Sequence, residues 1–384
     1  MNKNLPYPDT SAEHASLTLQ EHIANEIQSH NNWISFNDYM QMTLFTPNLG
    51  YYTGGSHKIG SAGDFVTAPS MTPLFGLTLA RQIAPLLQQT AGNVYEFGAG
   101  TGELAVSLLA GLPETALQHY YIMDVSPELK QRQLELIQKK LPQHANKVIF
   151  LDSLPDVFDG VIIGNEVLDA MPCEVVRWTE QGVEQMGVSI IDNQFAWSQR
   201  PVNDERILAE ALRIQPDKLP FTSELHLNQS AFIATLAQRM QRGAIIMIDY
   251  GFDEAQYYHP QRSMGTLIGH YRHHVVDDPF FWPGLMDLTC HVNFTAMAQA
   301  AVDNDLDLIG YTSQAHFLFN LGITEVLLNE HPNVNSKEYL QAAAAMQKLV
   351  APHEMGELFK VMAMGKNIDV DWQGFAVGDW CHKL

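Results

Sequence analysis

The most informative chemical signal in the sequence is a glycine-rich turn, Glu96-Phe97-Gly98-Ala99-Gly100-Thr101-Gly102. Glycines let a backbone approach a ligand without interference from Cβ, and the helix pattern that follows offers N–H groups at its N-terminus. A dinucleotide-binding turn would place its third glycine where this chain has Glu103, so the spacing points away from a nicotinamide cofactor. The turn residues expected to contact a ligand are Gly98, Ala99, Gly100 and Gly102.

Two acidic residues flank this turn and narrow the choice of ligand. Glu96 suits a ligand ammonium group better than a pyrophosphate, and Asp124 follows the next β-type run, where a carboxylate accepts hydrogen bonds from ribose hydroxyls. S-adenosylmethionine carries both groups, so we expect it as the cofactor, with Val125 as a further contact. The alternatives are that the glycines only allow a tight turn and that Asp124 caps the helix beginning near Ser126.

A second polar turn follows the fourth β-type run and contains the residues expected to be catalytic. Methyl transfer from a sulfonium is a direct displacement, so the enzyme mainly aligns the acceptor and removes a proton. Glu166 and Asp169 would share one face of a helical turn and hold a cation such as a guanidinium, while Asn165 would position the acceptor and contact the cofactor. Alternatively, Asn165 and Glu166 cap a helix. Asp152, after the third run, either faces the adenine or caps a turn.

The elements that must position these residues alternate between β-type and helical patterns. This alternation predicts an α/β fold with a mostly parallel sheet and ligands at the C-terminal ends of its strands. The predicted helices at the N-terminus cover 17–29 and a short segment that begins with the capping box Ser35–Asp38. The predicted strands are 94–97, 120–123, 147–151, 161–163, 244–248, 306–312 and 358–364.

The alternation and the segments that interrupt it predict four regions. Residues 1–75 contain the N-terminal helices and a lid segment, and residues 76–175 form the first part of a Rossmann-like cofactor-binding domain. Residues 176–240 form an inserted β-hairpin and helical segment. Residues 241–384 complete the sheet and contain an accessory insertion on the substrate side at about 253–293.

Composition limits the partners. The 384 residues carry a formal net charge of −21 and no Lys/Arg-rich run, which argues against nucleic acid. No apolar run is long enough to cross a membrane, and the N-terminus has no targeting pattern, so we expect a cytoplasmic protein. The scattered cysteines and the loop histidines at 270–274 predict neither a disulfide nor a metal site. The oligomeric state stays open, with a homodimer as one candidate.

Several longer strings add a resemblance to a known family. The chain resembles the MidA-like S-adenosylmethionine-dependent methyltransferases, which include a mitochondrial protein arginine methyltransferase that assists assembly of respiratory complex I. The strings that carry this resemblance include Gly50-Tyr51-Tyr52, Gly63-Asp64-Phe65-Val66-Thr67 with Pro69, Glu96–Gly102, Asn165-Glu166 with Asp169, Ile248-Asp249-Tyr250-Gly251, Gly265-Thr266-Leu267 with Tyr271, and Asp287-Leu288-Thr289 with His291-Val292.

The resemblance implies a class I, seven-stranded Rossmann-like sheet with an accessory region over the active site. Residues 63–69 would form a lid whose Asp64 and Thr67 face the cofactor or the acceptor, with Pro69 beside them; otherwise they form an ordered surface loop. Tyr271 would lie on the substrate side. His291 either orients the substrate or is a core histidine.

The sequence therefore predicts a methyltransferase that acts on a protein side chain, with arginine favoured. Two alternatives stay open. One is a non-catalytic assembly factor that binds a partner protein, and the other is an NAD-dependent oxidoreductase.

Overall fold

The computed structural model describes residues 5–54 and 67–384, which form two compact units. The main-sheet unit contains residues 67–168, 232–251 and 294–384. The second unit contains residues 5–54, 169–231 and 252–293. Among the helices of these described ranges, none combines the length and the apolar composition that crossing a membrane requires.

The helices largely follow the predicted pattern. Ser35 Oγ accepts a hydrogen bond from Asp38 N at 3.0 Å, which confirms the predicted start of the second helix. The α-helices are α1 (Thr10–Ser29), α2 (Phe36–Phe45), α3 (Ala68–Met71), α4 (Leu74–Gln89), α5 (Glu103–Gly111), α6 (Pro127–Lys140), α7 (Glu205–Ile214), α8 (Leu227–Arg239), α9 (Glu254–Tyr257), α10 (Phe294–Val302), α11 (Gln314–Asn320), α12 (Ile323–Glu330) and α13 (Lys337–Val350).

All seven predicted strands are present, and several are longer than predicted. The strands are β1 (Ile34–Ser35), β2 (Asn93–Phe97), β3 (His119–Met123), β4 (Val148–Leu151), β5 (Phe158–Asn165), β6 (Glu174–Thr179), β7 (Gly182–Ile191), β8 (Gln194–Pro201), β9 (Phe221–Leu225), β10 (Met240–Phe252), β11 (Ile268–Tyr271), β12 (His274–Val276), β13 (Asp287–Thr289), β14 (Val292–Asn293), β15 (Asp307–Ser313) and β16 (Phe359–Lys366).

The main sheet confirms the predicted α/β fold class. Its continuous path through the described strands runs β4-β3-β2-β5-β10-β16-β15. The strands from β4 to β10 are mutually parallel, whereas β16 is antiparallel to both of its neighbours. This order makes β2 and β5 central, so the loops after them lie where open α/β sheets bind ligands.

Apolar residues from the sheet and its helices form one core in the main-sheet unit. Strands buried on both faces read as nearly continuous apolar runs, as in Val161-Ile162-Ile163 and in 244–248, and all eight of these residues are at most 1% exposed. Helix α4 contributes Leu79, Ile83 and Leu86 to the same core. This core fixes the strands whose ends carry the candidate site.

The second unit is richer in antiparallel pairing than the predicted hairpin insertion. Its larger sheet runs β1-β7-β6-β9, and β8 pairs with β7. The segment at 253–293 contributes a smaller sheet in the order β12-β11-β13. A cluster of buried side chains from the N-terminal helices and this segment, including Ile23, Tyr39 and Leu288, forms its core.

Candidate active site

The register of the main sheet brings the loops after its central strands to one edge. Phe97 at the end of β2 lies opposite Met123 on β3 and Gly164 on β5. Asn165 at the end of β5 lies opposite Ile248 on β10. Because these strands are parallel, the glycine turn, Asp124 and the Asn165 turn all follow strand ends at the same edge.

The glycine turn has a backbone that favours glycine. Gly98 and Gly102 adopt φ values of +62° and +94°, in the region that side-chain-bearing residues rarely occupy. A Cβ on Gly98 would lie 3.2 Å from Val167 Cγ2, and a Cβ on Gly102 would lie 3.2 Å from Gln133 Cα. The turn is therefore packed against both the β5 loop and helix α6, and its backbone can serve as a ligand cradle.

Glu96 lies on β2 and is only 1% exposed. Tyr120 donates its hydroxyl hydrogen to Glu96 Oε2 at 2.7 Å. Burial is the main cause that raises the pKa of the Glu96 carboxyl to about 8; the Tyr120 hydrogen bond lowers this pKa, and the nearby Asp124 charge adds a smaller upward contribution. A cationic ligand group beside this carboxyl would stabilise its charged form.

Gln133 joins Asp124 to the glycine turn, and the sequence did not single it out. Its amide Nε2 donates to Gly100 O at 2.8 Å and to Asp124 Oδ2 at 2.9 Å. The other oxygen, Asp124 Oδ1, accepts from Ser126 N at 3.0 Å, and Ser126 itself caps α6. Burial is the main cause that raises the pKa of the Asp124 carboxyl. One fully buried amide thus fixes the carboxylate relative to the turn.

We expect Gln133→Met to weaken cofactor binding because it removes both amide hydrogen bonds with little change in volume. Two lost bonds of about 1 kcal/mol each predict a roughly tenfold to thirtyfold rise in the Kd for S-adenosylhomocysteine, measured by titration calorimetry. Gln131→Met is the matched control, since Gln131 lies on the same helix but is exposed and bonds to Glu135. Equal Kd values for the two variants would contradict the role given to Gln133.

Two other predicted cofactor contacts are exposed. The Asp152 side chain, directly after β4, is 93% exposed and pairs with Lys130 Nζ at 2.6 Å. Val125 is 60% exposed beside Asp124. Their contacts with adenine or ribose stay predictions.

The turn after β5 differs from its prediction. Glu166 has φ +54°, and residues 166–171 form bends and a turn instead of a helix. The expected helical turn is therefore wrong, and so is the alternative that Asn165 and Glu166 cap a helix. The physical reason is that Val167 N and Leu168 N donate to the Asp249 carboxylate, at 3.1 Å and 2.9 Å, instead of entering a helix.

Asn165 is buried at the start of this turn. Its Nδ2 donates to Glu166 Oε1 at 3.1 Å, which orients the two side chains relative to each other. Asn165 Oδ1 is buried and has no hydrogen-bond partner among the described residues. An unsatisfied buried acceptor of this kind is costly unless a ligand supplies a donor, so it fits a cofactor or acceptor site.

Asp169 belongs to the second unit and is only 4% exposed. Its backbone O accepts from Cys290 N at 3.0 Å, which ties it to the segment after β13. In the same unit Tyr52 donates to Asp287 Oδ1 at 2.8 Å, and burial together with the charges of Asp287 and Asp169 raises the Tyr52 pKa well above its usual value. Asp169 therefore lies in an acidic, buried environment.

The residues predicted to form the lid or to contact the substrate lie in different environments. Asp64 lies outside the described residues. Thr67 precedes α3, and Pro69 is buried within it. Tyr271 is 1% exposed and donates to Pro6 O at 3.0 Å, whereas His291 stacks on Phe252 at 5.1 Å between ring centroids. Contacts of these residues with a substrate stay predictions.

Glu224 organises the loop that contains the Gly265-Thr266-Leu267 string. Its Oε1 accepts from Thr266 N and Leu267 N, both at 2.9 Å, and its Oε2 accepts from Tyr257 OH at 2.8 Å. Thr266 Oγ1 in turn accepts from His291 N at 3.0 Å. A single buried carboxylate thus holds the loop beside His291, and no pattern in the sequence indicates this role for Glu224.

Residues 78–312 match the model of a family described as "Putative S-adenosyl-L-methionine-dependent methyltransferase". The chain belongs to this methyltransferase family. The family assignment confirms the predicted fold, cofactor and enzyme class, and it sets aside the NAD-dependent oxidoreductase that the sequence left as an alternative.

Solved structures and named relatives agree with the family. A Burkholderia thailandensis protein crystallised with S-adenosyl-homocysteine is 44% identical, with a TM-score of 0.95 over 99% of this chain and 100% of that chain. The chain is also similar to "Protein arginine methyltransferase NDUFAF7, mitochondrial" of Danio rerio, at 27% identity over 92% of this chain and 88% of the relative. The protein of the same name from Homo sapiens is 26% identical over 92% of this chain and 84% of the relative.

The buried Glu96 carboxyl predicts a proton linkage to cofactor binding. With a pKa of about 8 it is mainly protonated at neutral pH, and a ligand ammonium beside it would favour ionisation. We expect S-adenosylhomocysteine binding at about pH 7 to release up to one proton, measured by calorimetry in buffers of different ionisation enthalpy. The expected affinity therefore rises as pH increases toward about 8.

Glu96→Gln is the control for this linkage, because it keeps the shape but cannot ionise. Proton release by the variant equal to that of the wild type would contradict the assignment.

The Glu96 pKa also determines how the stability of the ligand-free protein depends on pH. Since the folded pKa lies above the ordinary value of 4.5, the folded state binds more protons, and stability falls as pH rises from 4.5 to about 8.

Proposed function

We propose that this methyltransferase acts on a protein side chain and that the acceptor is an arginine guanidinium. The observation that carries the proposal is the acidic turn after β5, in which Asn165 orients Glu166 and the next residue, Val167, packs against Gly98 of the glycine turn. Carboxylates are the groups that bind guanidinium most specifically. The relatives named as protein arginine methyltransferases support the same acceptor.

The residues at the sheet edge fit S-adenosylmethionine. The positive-φ glycines allow close backbone approach, Asp124 offers a carboxylate to ribose hydroxyls, and Glu96 offers one to the amino group. When bound, the cofactor supplies a methyl group on a positively charged sulfur. The part of the protein is then to align the acceptor nitrogen and receive its proton.

In the proposed arrangement Glu166 carries most of the chemistry. Its carboxylate holds the guanidinium by charge-assisted hydrogen bonds and accepts the proton that the nitrogen loses on methylation. Asn165 fixes the direction of that carboxylate. The net charge of −21 favours encounter with a basic protein segment.

Labelled S-adenosylmethionine and a cell lysate lacking the protein provide the test. We expect label in discrete protein bands, with mass spectrometry placing the added methyl group on arginine. Label confined to small molecules, or methyl groups on lysine or on carboxylates only, would overturn the proposed acceptor while leaving the methyltransferase assignment intact. The cytoplasmic location and the oligomeric state stay predictions.

A further inference from the structure

Asp249 is a buried carboxylate near the C-terminal end of β10, and no step of the proposed function uses it. It is 1% exposed and lies opposite Lys360 on the antiparallel strand β16. Its Oδ2 accepts from Val167 N at 3.1 Å and from Leu168 N at 2.9 Å, and its Oδ1 accepts from Tyr250 N at 2.9 Å. Both oxygens are therefore committed to backbone N–H groups.

The backbone that Asp249 holds is the turn that carries the candidate catalytic residues. Glu166 adopts φ +54°, a left-handed conformation that is unfavourable for a residue with a side chain. Its N–H donates to Ile248 O at 2.9 Å, and the next two N–H groups donate to Asp249 Oδ2. Three consecutive N–H groups are thus bound by two consecutive residues of β10. Strained backbone of this kind persists only where its surroundings fix it.

We propose that Asp249 is the positioning residue of this methyltransferase, fixing the Asn165–Glu166 turn in the conformation that aligns the acceptor. This inference rests on the proposed function. Asp249 acts through the turn, because its oxygens already bind backbone N–H groups. Its charge matters because a carboxylate oxygen can accept both N–H groups at once and binds them more strongly than a neutral acceptor does.

The substitution Asp249→Asn separates positioning from packing. The side chains have nearly the same volume, but one oxygen becomes an NH₂ group. Two acceptor oxygens cannot both be kept, so either the Val167–Leu168 pair or Tyr250 faces a donor, and an amide oxygen left on the Val167–Leu168 pair is neutral and accepts more weakly. The turn should then relax while the glycine turn and Asp124, which Gln133 and Ser126 hold, keep their geometry.

The test combines three measurements on Asp249→Asn in the full chain. We expect the Kd for S-adenosylhomocysteine to stay within about twofold, because the glycine turn, Glu96 and Asp124 are untouched and Asn165 keeps its place in β5 opposite Ile248. We expect the rate of labelled methyl transfer into lysate protein, at saturating S-adenosylmethionine, to fall at least about tenfold. With S-adenosylhomocysteine bound to both proteins, peptides covering residues 164–172 should exchange their amide hydrogens faster in Asp249→Asn than in the wild type.

Asp204→Asn is the matched control, because Asp204 also accepts a backbone N–H, from Arg206 at 2.8 Å, but at the start of α7. It should leave transfer rate and exchange at 164–172 unchanged. Asp249→Ser, which places no NH₂ group against the backbone, provides a second test should the asparagine variant fail to fold, with the same expected pattern.

The outcomes distinguish this inference from the proposed function. Unchanged exchange at residues 164–172, or faster exchange with an undiminished transfer rate, would overturn the role of Asp249. A parallel loss of cofactor binding would also overturn it, because the effect would then be general. If the wild type methylates no protein, the proposed function fails, and the exchange measurement still decides whether Asp249 holds the turn.

Discussion

Replacing Gly100 by valine is expected to abolish cofactor binding while the protein remains folded. Gly100 has φ +54°, and its carbonyl oxygen accepts the Gln133 amide. A β-branched side chain is strained in this conformation by about 1–2 kcal/mol. It would also occupy the space in which the backbone of the glycine turn is expected to contact the cofactor. We expect the Kd for S-adenosylhomocysteine to rise at least about 100-fold in titration calorimetry.

Gly182→Val is the control for the strain alone. Gly182 also has positive φ, +131°, and a Cβ there would meet no described atom within 4 Å. It should lower the melting temperature without changing cofactor affinity. Tight binding by Gly100→Val would contradict the cradle assigned to the turn. A Gly100→Val protein that has lost binding but still fulfils its cellular role would instead favour the non-catalytic assembly factor.

Glu166→Gln is expected to have the second large effect, and on a different parameter. The substitution keeps the side-chain length, and its amide can still contact Asn165, but the negative charge and the proton acceptor are lost. Loss of a charge-assisted contact and of general-base help predicts a fall in kcat/KM of roughly 100-fold or more. The rate of labelled methyl transfer into protein measures this effect, and calorimetry should show nearly unchanged cofactor binding.

Glu180→Gln provides the matched control, because Glu180 is an exposed glutamate in the β6–β7 turn. It removes the same charge from the protein and should leave the transfer rate within about twofold of wild type. If both variants lose activity equally, the effect arises from net charge. If neither does, Glu166 is not the acceptor-binding residue.

Much of the main sheet could be predicted because its strands are buried on both faces. The apolar run in β5 predicted 161–163, whereas the strand extends over Phe158–Asn165. The polar residues at its ends belong to the strand because they pair with neighbouring strands, as Asn165 pairs with Ile248. The residue pattern of one strand does not show which residues of another strand it pairs with. The helical part predicted within 176–240 consists of α7 and α8, and no glycine or proline marks the end of α8 because it continues directly into β10 at Met240.

The site could be predicted only where its residues are close together in the chain. The glycine turn has its own sequence signature, so its position was accessible. Gln133 lies in the interior of α6, 33 residues from the Gly100 carbonyl it binds, and resembles an ordinary helix-forming residue. Asp249 lies 82 residues from Val167, so its hold on the turn appears only once β10 and β5 are paired. The helical turn predicted at Glu166 failed for the same reason.

The position of β16 between β10 and β15 has a consequence for biosynthesis. Phe359–Lys366 leaves the ribosome after every proposed site residue, yet it occupies an internal place in the sheet and pairs with the strand that carries Asp249. A nascent chain lacking it exposes two unpaired strand edges, which are prone to aggregate. Stop codons or proteolytic cuts before residue 359 should therefore yield insoluble protein, although every proposed site residue has already been translated.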